Sequence, residues 1–499
     1  MMNLIKSKIT SLPHSNLPTT VGIIGGGIAG STIALRLAEQ GIHVQLFEEG
    51  KSLVNGPPIC HLHAGGNLYR EISDQQCITL LKQSIDTLRV YRHTTNIRPT
   101  VIAIPCNDAG NPSDLLPRLT LLQQTYQTLV EQDSKNRVLG EPKDYFKLYQ
   151  RHDLESLALQ ANPEHPLTPD QWMIPVAKSI NLDQFKFPLV MVQEYGLSVF
   201  RIAATLTLAL DKLTQCHVHT NSKVISLAER EQGTGWQVNY QNSTNQQHQV
   251  NVDYLVNAGG YRTGTIDDLA HIPRQRMVEF KAAYITHWSQ CDAQWPEVIF
   301  HGERGTPNGM AQLTPYPDGY FQLHGMTQDI TLFKNGLVSS NATSAQPQLD
   351  ASFKEKLQQH WSQPEIEQRT QRAINHMAQF VGKFEQATVG GKPLFGAQQI
   401  PGNDPTLRAA DVSYSHQRYA RSEIVKASSA LSVADAIIDQ LAALDLIPQP
   451  TLQTRENEFP VSQQLSLHDV VTYAEKLAAE RGFPTSLARP IDHNINNHE

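Results

Sequence analysis

Gly25, Gly27 and Gly30 stand in G-x-G-x-x-G spacing, and an acid, Glu48, follows eighteen positions after the last of them. Residues of these types at these distances serve one chemistry, the gripping of a dinucleotide. The first glycine permits a tight turn, the second lets backbone approach a pyrophosphate, and the third lets a helix pack closely on a strand. Ile28 and Ala29 lie where a helix begins, and exposed N–H groups at such a start bind phosphate oxygens. Glu48 is placed to accept hydrogen bonds from a ribose diol. An acid there favours a free 2′-hydroxyl, hence NAD or FAD rather than NADP. Glu49 follows directly, but strand alternation turns it the other way and leaves it a solvated loop charge.

The elements that must position these residues are legible around them. Val21–Ile24 is a short apolar strand. Ala29–Glu39 has helical apolar spacing at Ile33, Ala34, Leu37 and Ala38. Gly41 ends that helix, and Ile42–Phe47 is a second strand running into Glu48. Together they make a complete βαβ unit.

A chain of 499 residues suits two interleaved domains with a large core. A net charge of −7 without a dense Lys/Arg block argues against a nucleic-acid partner. No apolar run approaches the roughly 20 residues that span a bilayer, so no integral membrane segment is expected. The five cysteines, Cys60, Cys77, Cys106, Cys216 and Cys291, are scattered and odd in number. They point away from disulfides and metal centres and towards a cytoplasmic location, with peripheral attachment at the inner membrane left open.

The expected fold class is α/β: a Rossmann-like FAD-binding domain interleaved with a mixed or antiparallel β-sheet substrate domain. Residues 1–17 read as a disordered lead-in and 18–106 as the first part of the nucleotide domain, with a helix at Asp74–Tyr91 and a strand at Arg98–Ile104. Residues 107–188 read as a helical insertion that caps the substrate, with helices at Leu116–Gln132 and Leu154–Gln160. Residues 189–265 return to the nucleotide domain through a helix at Val199–Leu213, one strand at Cys216–Leu227, a meander and Tyr254–Asn257. Residues 266–385 form the substrate domain, where Pro317-Asp318-Gly319 signals a hairpin. Residues 386–447 close the nucleotide domain with a long helix at Ala420–Leu444. Residues 448–499 form a helical tail, started by Ser466 with Asp469 and stopped by Gly482, whose apolar stripe packs on the body of the protein.

Asp253–Gly264, DYLVNAGGYRTG, carries the step from NAD-or-FAD to FAD. Its apolar strand ends in Ala258-Gly259-Gly260, where small residues permit close approach to a cofactor. The chain has no second G-x-G-x-x-G for a nicotinamide nucleotide. VGIIGGGIAGSTIALRLAEQGIHVQLFEE, EYGLSVFRIAATLTLAL, DYLVNAGGY and PYPDGYFQLHGMT then occur in the order found in the D-amino-acid oxidase-like flavoproteins, which this chain resembles over residues 18–106 and 189–445. That group includes glycine and sarcosine oxidases, L-2-hydroxyglutarate oxidase and, more distantly, malate:quinone oxidoreductase. Many members carry a Gly-His-Gly turn before the last helix; His416–Ile437 lacks it here.

The resemblance implies an FAD-dependent oxidoreductase that transfers a hydride from a small amino or hydroxy carboxylic acid to flavin N5, with oxygen or quinone as electron acceptor. A quinone-linked, malate-like 2-hydroxy-acid dehydrogenase and a non-catalytic flavin-binding protein stand as alternatives. A carboxylate substrate calls for an arginine; Arg262, after the Ala-Gly-Gly turn, and Arg276, on the strand entering the substrate domain, are the candidates. His324 ends a hairpin strand whose equivalent lies over the flavin in relatives, which makes it a proton-transfer candidate. Cys60–Arg70, CHLHAGGNLYR, is similar to the segment that runs along the flavin ring, so His61 and His63 are candidates for ring contact or for a base. The HAGG beginning at His63 is similar to the His-Ala-Ala-Gly of dimethylglycine dehydrogenase-like members, in which that histidine is joined covalently to FAD. The resemblance also implies a last helix that begins near Arg421 and aims its positive end at the reduced ring, with Lys426 beside it.

Overall fold

The structure is a computed structural model, and it describes residues 18–55, 72–358, 361–408, 411–416, 418–450 and 453–491. His61 and His63 lie outside the described residues.

Thr20–Ile24, four β-branched residues around Gly22 and buried from Val21 onward, becomes a central strand of a six-stranded sheet. The sheet order is Val412–Ser415, Tyr419–Ser422, Tyr254–Asn257, Thr20–Ile24, His43–Phe47 and Cys216–His219. Every neighbouring pair is parallel except the first. The helix Ile28–Glu39 crosses from the first of these strands to the next and packs against Ala430–Ala443. The chain passes from Thr20–Ile24 to His43–Phe47 on one side and reaches Tyr254–Asn257 on the other. That reversal opens a crevice beyond the carboxyl ends of the strands.

The second sheet is mixed and ten-stranded. Its spine is the twelve-residue strand Arg276–His287, which pairs antiparallel with Tyr320–Gly325 and with Leu394–Pro401. Ala311–Pro315, Glu297–Phe300, Thr100–Pro105, Phe185–Val192 and Phe146–Tyr149 follow in order beyond Tyr320–Gly325. The hairpin foreseen at Pro317-Asp318-Gly319 is present. Asp318 and Gly319 both have positive φ, 61° and 71°, and Tyr320 N–H donates to the Pro317 carbonyl, the geometry that suits a tight two-residue turn.

Several expected elements take a different form. Cys216–Leu227 is two strands, Cys216–His219 and Lys223–Glu229, in different sheets, because the chain turns between them at Asn221 with φ 49°. Ala420–Leu444 is a strand, Tyr419–Ser422, followed by a helix that begins only at Ala430. A short fully buried run does not distinguish strand from helix by its periodicity. Residues 107–188 are not wholly helical, since Phe146–Tyr149 and the start of Phe185–Val192 join the large sheet. Thr100–Pro105 and Leu394–Pro401, expected in the nucleotide domain, also belong to that sheet.

The tail helix Leu467–Glu480 starts at Ser466, whose hydroxyl accepts from the Asp469 amide at 3.0 Å, and turns off at Gly482 with φ 69°. Val470, Ala474, Leu477 and Ala478 are buried where it packs against the helix Val199–Leu210. Among the described residues no helix is long and apolar enough to cross a membrane.

The two sheets are pinned together by one carboxylate. Asp267, on the short helix Thr263–Leu269, is fully buried. It accepts from Arg421 Nε at 2.6 Å and from the Tyr419 hydroxyl at 2.8 Å, both on the nucleotide sheet. It also accepts from Arg276, which opens the spine of the large sheet. Removing one member of such a group strands the others as uncompensated buried charge. Asp267→Ala is therefore expected to lower stability by about 3–5 kcal/mol, read as a shift in urea midpoint. A midpoint unchanged from wild type would show that the arginines are compensated elsewhere.

Candidate functional site

A cavity of about 2030 Å³ opens from the crevice of the nucleotide sheet to the facing wall of the large sheet. Drug-sized ligands occupy roughly 300–1,000 Å³, so this space accommodates a dinucleotide and a further small molecule.

The glycine turn forms one end. Gly25 has φ +104°, and a side-chain carbon there would lie 2.4 Å from the Ala258 carbonyl oxygen, so strand and turn meet without room for one. A carbon on Gly30 would lie 1.9 Å from the Gly25 carbonyl, which presses helix onto strand. Gly27 differs: a carbon there would meet nothing within 4 Å, and the residue lines the cavity with Ile28 and Ala29. The helix start at Gly27 has no side-chain cap, so its amides are left to a ligand. Ala258, Gly259 and Gly260 line the same end.

Glu48 faces the cavity from the end of the second strand. Its two oxygens accept from Gly26 N–H at 2.7 Å and Gly50 N–H at 2.6 Å, which fixes the carboxylate beside the turn. Burial pushes its carboxyl above the ordinary range, and the two amides act in the opposite direction. Glu49 pairs instead with Arg262, whose guanidinium stacks on Tyr261. Arg262 lines the cavity, but at the end marked by Glu48 and with its charge already matched.

Two candidates move out of the site. Arg276 and Arg421 are each only 1% exposed, both hydrogen-bond Asp267, and neither lines the cavity. Arg276 is thus a core ion-pair member rather than a carboxylate binder, and Arg421 sits on a buried strand rather than at a helix start. Ser422 and the stretch Ile424–Ala427, including Lys426, do reach the cavity edge.

The large sheet supplies the opposite wall. His324 and Gln312 are paired across antiparallel strands, and both line the cavity together with His301. Gln312 Nε2 donates to Glu297, and Glu297 pairs with Arg98; both ionic groups are 1% exposed. Lys281, on the spine strand, is held by Glu279 at 2.9 Å and Gln398 at 3.0 Å. Burial pushes its ammonium down to about 8, with Glu279 opposing the shift. Arg304, also at the cavity, pairs with the second oxygen of Glu279. Lys281, Arg304, His301 and Gln312 were missed in the sequence. The available signal was the pair Glu279 and Lys281, two acidic and basic positions on one face of an otherwise apolar strand.

Residues 23–54 match a family model described as an NAD(P)-binding Rossmann-like domain. By sequence, no curated protein matches the chain. Among solved structures, the chain is similar to L-amino acid deaminase from Proteus vulgaris, with TM-score 0.55 and 12% identity over 92% of this chain and 99% of that one. It is similar to glycerol-3-phosphate dehydrogenase from Bacillus halodurans complexed with FAD, with TM-score 0.54 and 13% identity over 94% and 74% of the two chains. It is also similar to glycine oxidase from Geobacillus kaustophilus, with TM-score 0.53 and 12% identity over 86% and 99%. The fold is the one shared by these three solved structures.

Gly27→Val is expected to fold normally, because the new side chain points into open space, and to lose dinucleotide binding, because it fills the place of the pyrophosphate. Gly30→Ala should destabilise the fold itself. Glu48→Ala should weaken FAD binding by about 1.5–3 kcal/mol, and Glu49→Ala by little. Ribose hydroxyls would donate to the charged form of Glu48, so affinity should fall as pH drops through a pKa that burial holds above the ordinary carboxylate range. Titration of the apoprotein at several pH values checks this, and a Glu48→Gln variant should lose that pH dependence.

Proposed function

We propose that the chain is an FAD-dependent oxidoreductase that takes a hydride from a small amino or hydroxy carboxylic acid, with the amino acid the favoured class. The observation that carries the reading is one continuous cavity, running from a glycine turn built for a dinucleotide to a wall bearing His324 and Lys281. Glycine oxidase, L-amino acid deaminase and the L-proline dehydrogenase of P. horikoshii share the fold, and each is named for an amino acid. Gly25, Gly27, Ile28, Ala29, Glu48 and Ala258–Gly260 would hold FAD, which when bound supplies the hydride acceptor and, on reoxidation, passes electrons to oxygen or quinone.

The chain's own residues do the rest. Lys281 and Arg304 share the single carboxylate of Glu279, so this cluster carries one net positive charge, and Arg408 acts on it as well. That charge binds the substrate carboxylate and orients its α-carbon. His324 accepts the proton from the α-amine or hydroxyl, a task suited to imidazole because it ordinarily titrates near neutrality. Arg98 and Glu297, behind Gln312, fix the amide of that residue with its nitrogen turned away from the substrate. Its oxygen then accepts from a second N–H of an amino substrate, the one that His324 does not take.

The reading is tested by anaerobic mixing of the FAD-loaded protein with a panel of amino and 2-hydroxy acids. Bleaching of the flavin absorbance by a subset of amino acids is expected. Bleaching by hydroxy acids alone would favour the quinone-linked dehydrogenase, and no bleaching at all would favour a non-catalytic flavin protein. His324→Ala should slow reduction by roughly 10²–10⁴-fold. Lys281 loses its charge as pH rises through about 8, so KM for an anionic substrate should climb above that pH. In Lys281→Arg, which stays charged, that rise should be absent.

The histidine near the flavin in relatives gives a further test. Acid precipitation that leaves colour on the chain, with loss of that colour in His63→Ala, would mean a covalent histidyl link. Released colour would leave His63 a hydrogen-bonding role or none.

A further inference from the structure

The tail helix ends within reach of the nucleotide turn. Arg481 caps the helix Leu467–Glu480, and its guanidinium crosses to the loop that follows Glu48. Nη2 donates to the Leu53 carbonyl at 2.8 Å and to Ser52 Oγ at 3.0 Å, and Nη1 donates to the Val54 carbonyl at 3.1 Å. Val54 N–H in turn donates to the carbonyl of Gly26, inside the glycine turn, at 2.8 Å. A continuous path of hydrogen bonds therefore runs from the C-terminal tail to the backbone that would hold a pyrophosphate.

Two further observations give that path weight. Val54 has φ 53°, a left-handed conformation that a β-branched residue rarely adopts, and such a residue persists only where its surroundings impose it. The donors of Arg481 on Val54 and Leu53 are such an imposition. Arg481 also forms no ion pair among the described residues: its acceptors there are neutral carbonyls and a hydroxyl, and its Nε is buried without a partner. It lines the cavity together with Lys392 and Phe483. Phe483 anchors the turn after it against Phe200, ring centroids 5.7 Å apart. Glu480 and Glu48 act on this guanidinium from a distance, but neither is in contact with it, so positive charge stands at the cavity edge.

We propose that the C-terminal tail is part of the cofactor site: Arg481 is a positioning residue that locks Ser52–Val54 onto the glycine turn and lends its charge to a bound dinucleotide diphosphate. The proposal rests on the FAD reading above. Its test uses the full chain stripped of flavin, titrated with FAD and followed by quenching of flavin fluorescence, beside the melting temperature of the apoprotein and the amide exchange of Val54.

Arg481→Ala should weaken FAD binding tenfold or more and speed exchange at Val54, while the apoprotein melts near the wild-type temperature. Arg481→Lys keeps the charge but does not span the acceptors, so it should recover part of the affinity and little of the protection. Arg489→Ala removes tail contacts to Glu475 and Asp318 remote from the loop; it should leave FAD affinity unchanged. Should Arg481→Ala fail to fold, Arg481→Lys and the exchange measurement decide alone. Wild-type affinity in Arg481→Lys with unaltered exchange, or equal weakening by Arg489→Ala, overturns the proposal while FAD binding by the wild type stands. A wild type that takes up no FAD overturns the FAD reading and this inference with it.

Discussion

One buried carboxylate sets the relation of the two sheets, and through it the shape of the cavity. Asp267 joins Arg276, at the head of the large sheet's spine, to Arg421 and Tyr419 on the nucleotide sheet. Asn257, at the end of the strand that leads to Ala258-Gly259-Gly260, donates to the Tyr419 hydroxyl at 2.8 Å and to the Thr263 carbonyl at 2.9 Å. Glu423 extends the cluster to Arg274 at 2.6 Å and Arg276 at 3.6 Å. A buried charge group of this kind adds little net stability over a hydrophobic equivalent. What it does specify is geometry, because each member must find its partner or remain buried and unpaired. The Ala-Gly-Gly turn and the start of the spine are fixed relative to one another, and the cavity lies between what they carry.

That arrangement divides the labour. The nucleotide sheet contributes backbone: the turn at Gly25, the uncapped helix start and a carboxylate held by two amides. Such groups are set by the chain path and change little with side-chain identity. The large sheet contributes side chains from the middle of strands, where packing on both neighbours restricts their rotamers. His324 and Gln312 stand opposite one another in register, and the Arg98–Glu297 pair stands behind Gln312. Sites built on strands in this way are more sharply defined than sites on loops.

The same division explains what could be read from sequence. The βαβ unit was legible to within a residue at each element's start, because glycine spacing, helical periodicity and a terminal acid are local features. The hairpin at Pro317-Asp318-Gly319 and the Ser466 cap were legible for the same reason. Arg276 and Arg421 were misread because their partner, Asp267, lies far from Arg421 in the chain and carries no pattern of its own. Lys281 and Arg304 were missed because their shared partner, Glu279, becomes meaningful only when the loop bearing Arg304 folds over the spine. The strand at Tyr419–Ser422 was taken for helix because four buried residues satisfy either period.

The charge pattern within the cavity fixes the direction in which a ligand lies. The end marked by Glu48 offers carboxylate acceptors and a matched Glu49–Arg262 pair, which suits hydroxyl donors. The uncapped helix start beside it suits phosphate. The far wall, where Lys281 and Arg304 meet the one carboxylate of Glu279, suits an anion of low charge. A dinucleotide laid ribose-first along that gradient leaves its other end, and the remaining volume, against His324. The chain as a whole carries −7, which disfavours anions at long range. Screening at physiological salt limits that repulsion to roughly 8–10 Å, so a carboxylate at the cavity responds to the local wall rather than to the net charge. The positive charge that recruits it is sustained by Glu279, which opposes the lowering of the Lys281 ammonium by burial, on the same strand that Asp267 and Arg276 hold in place.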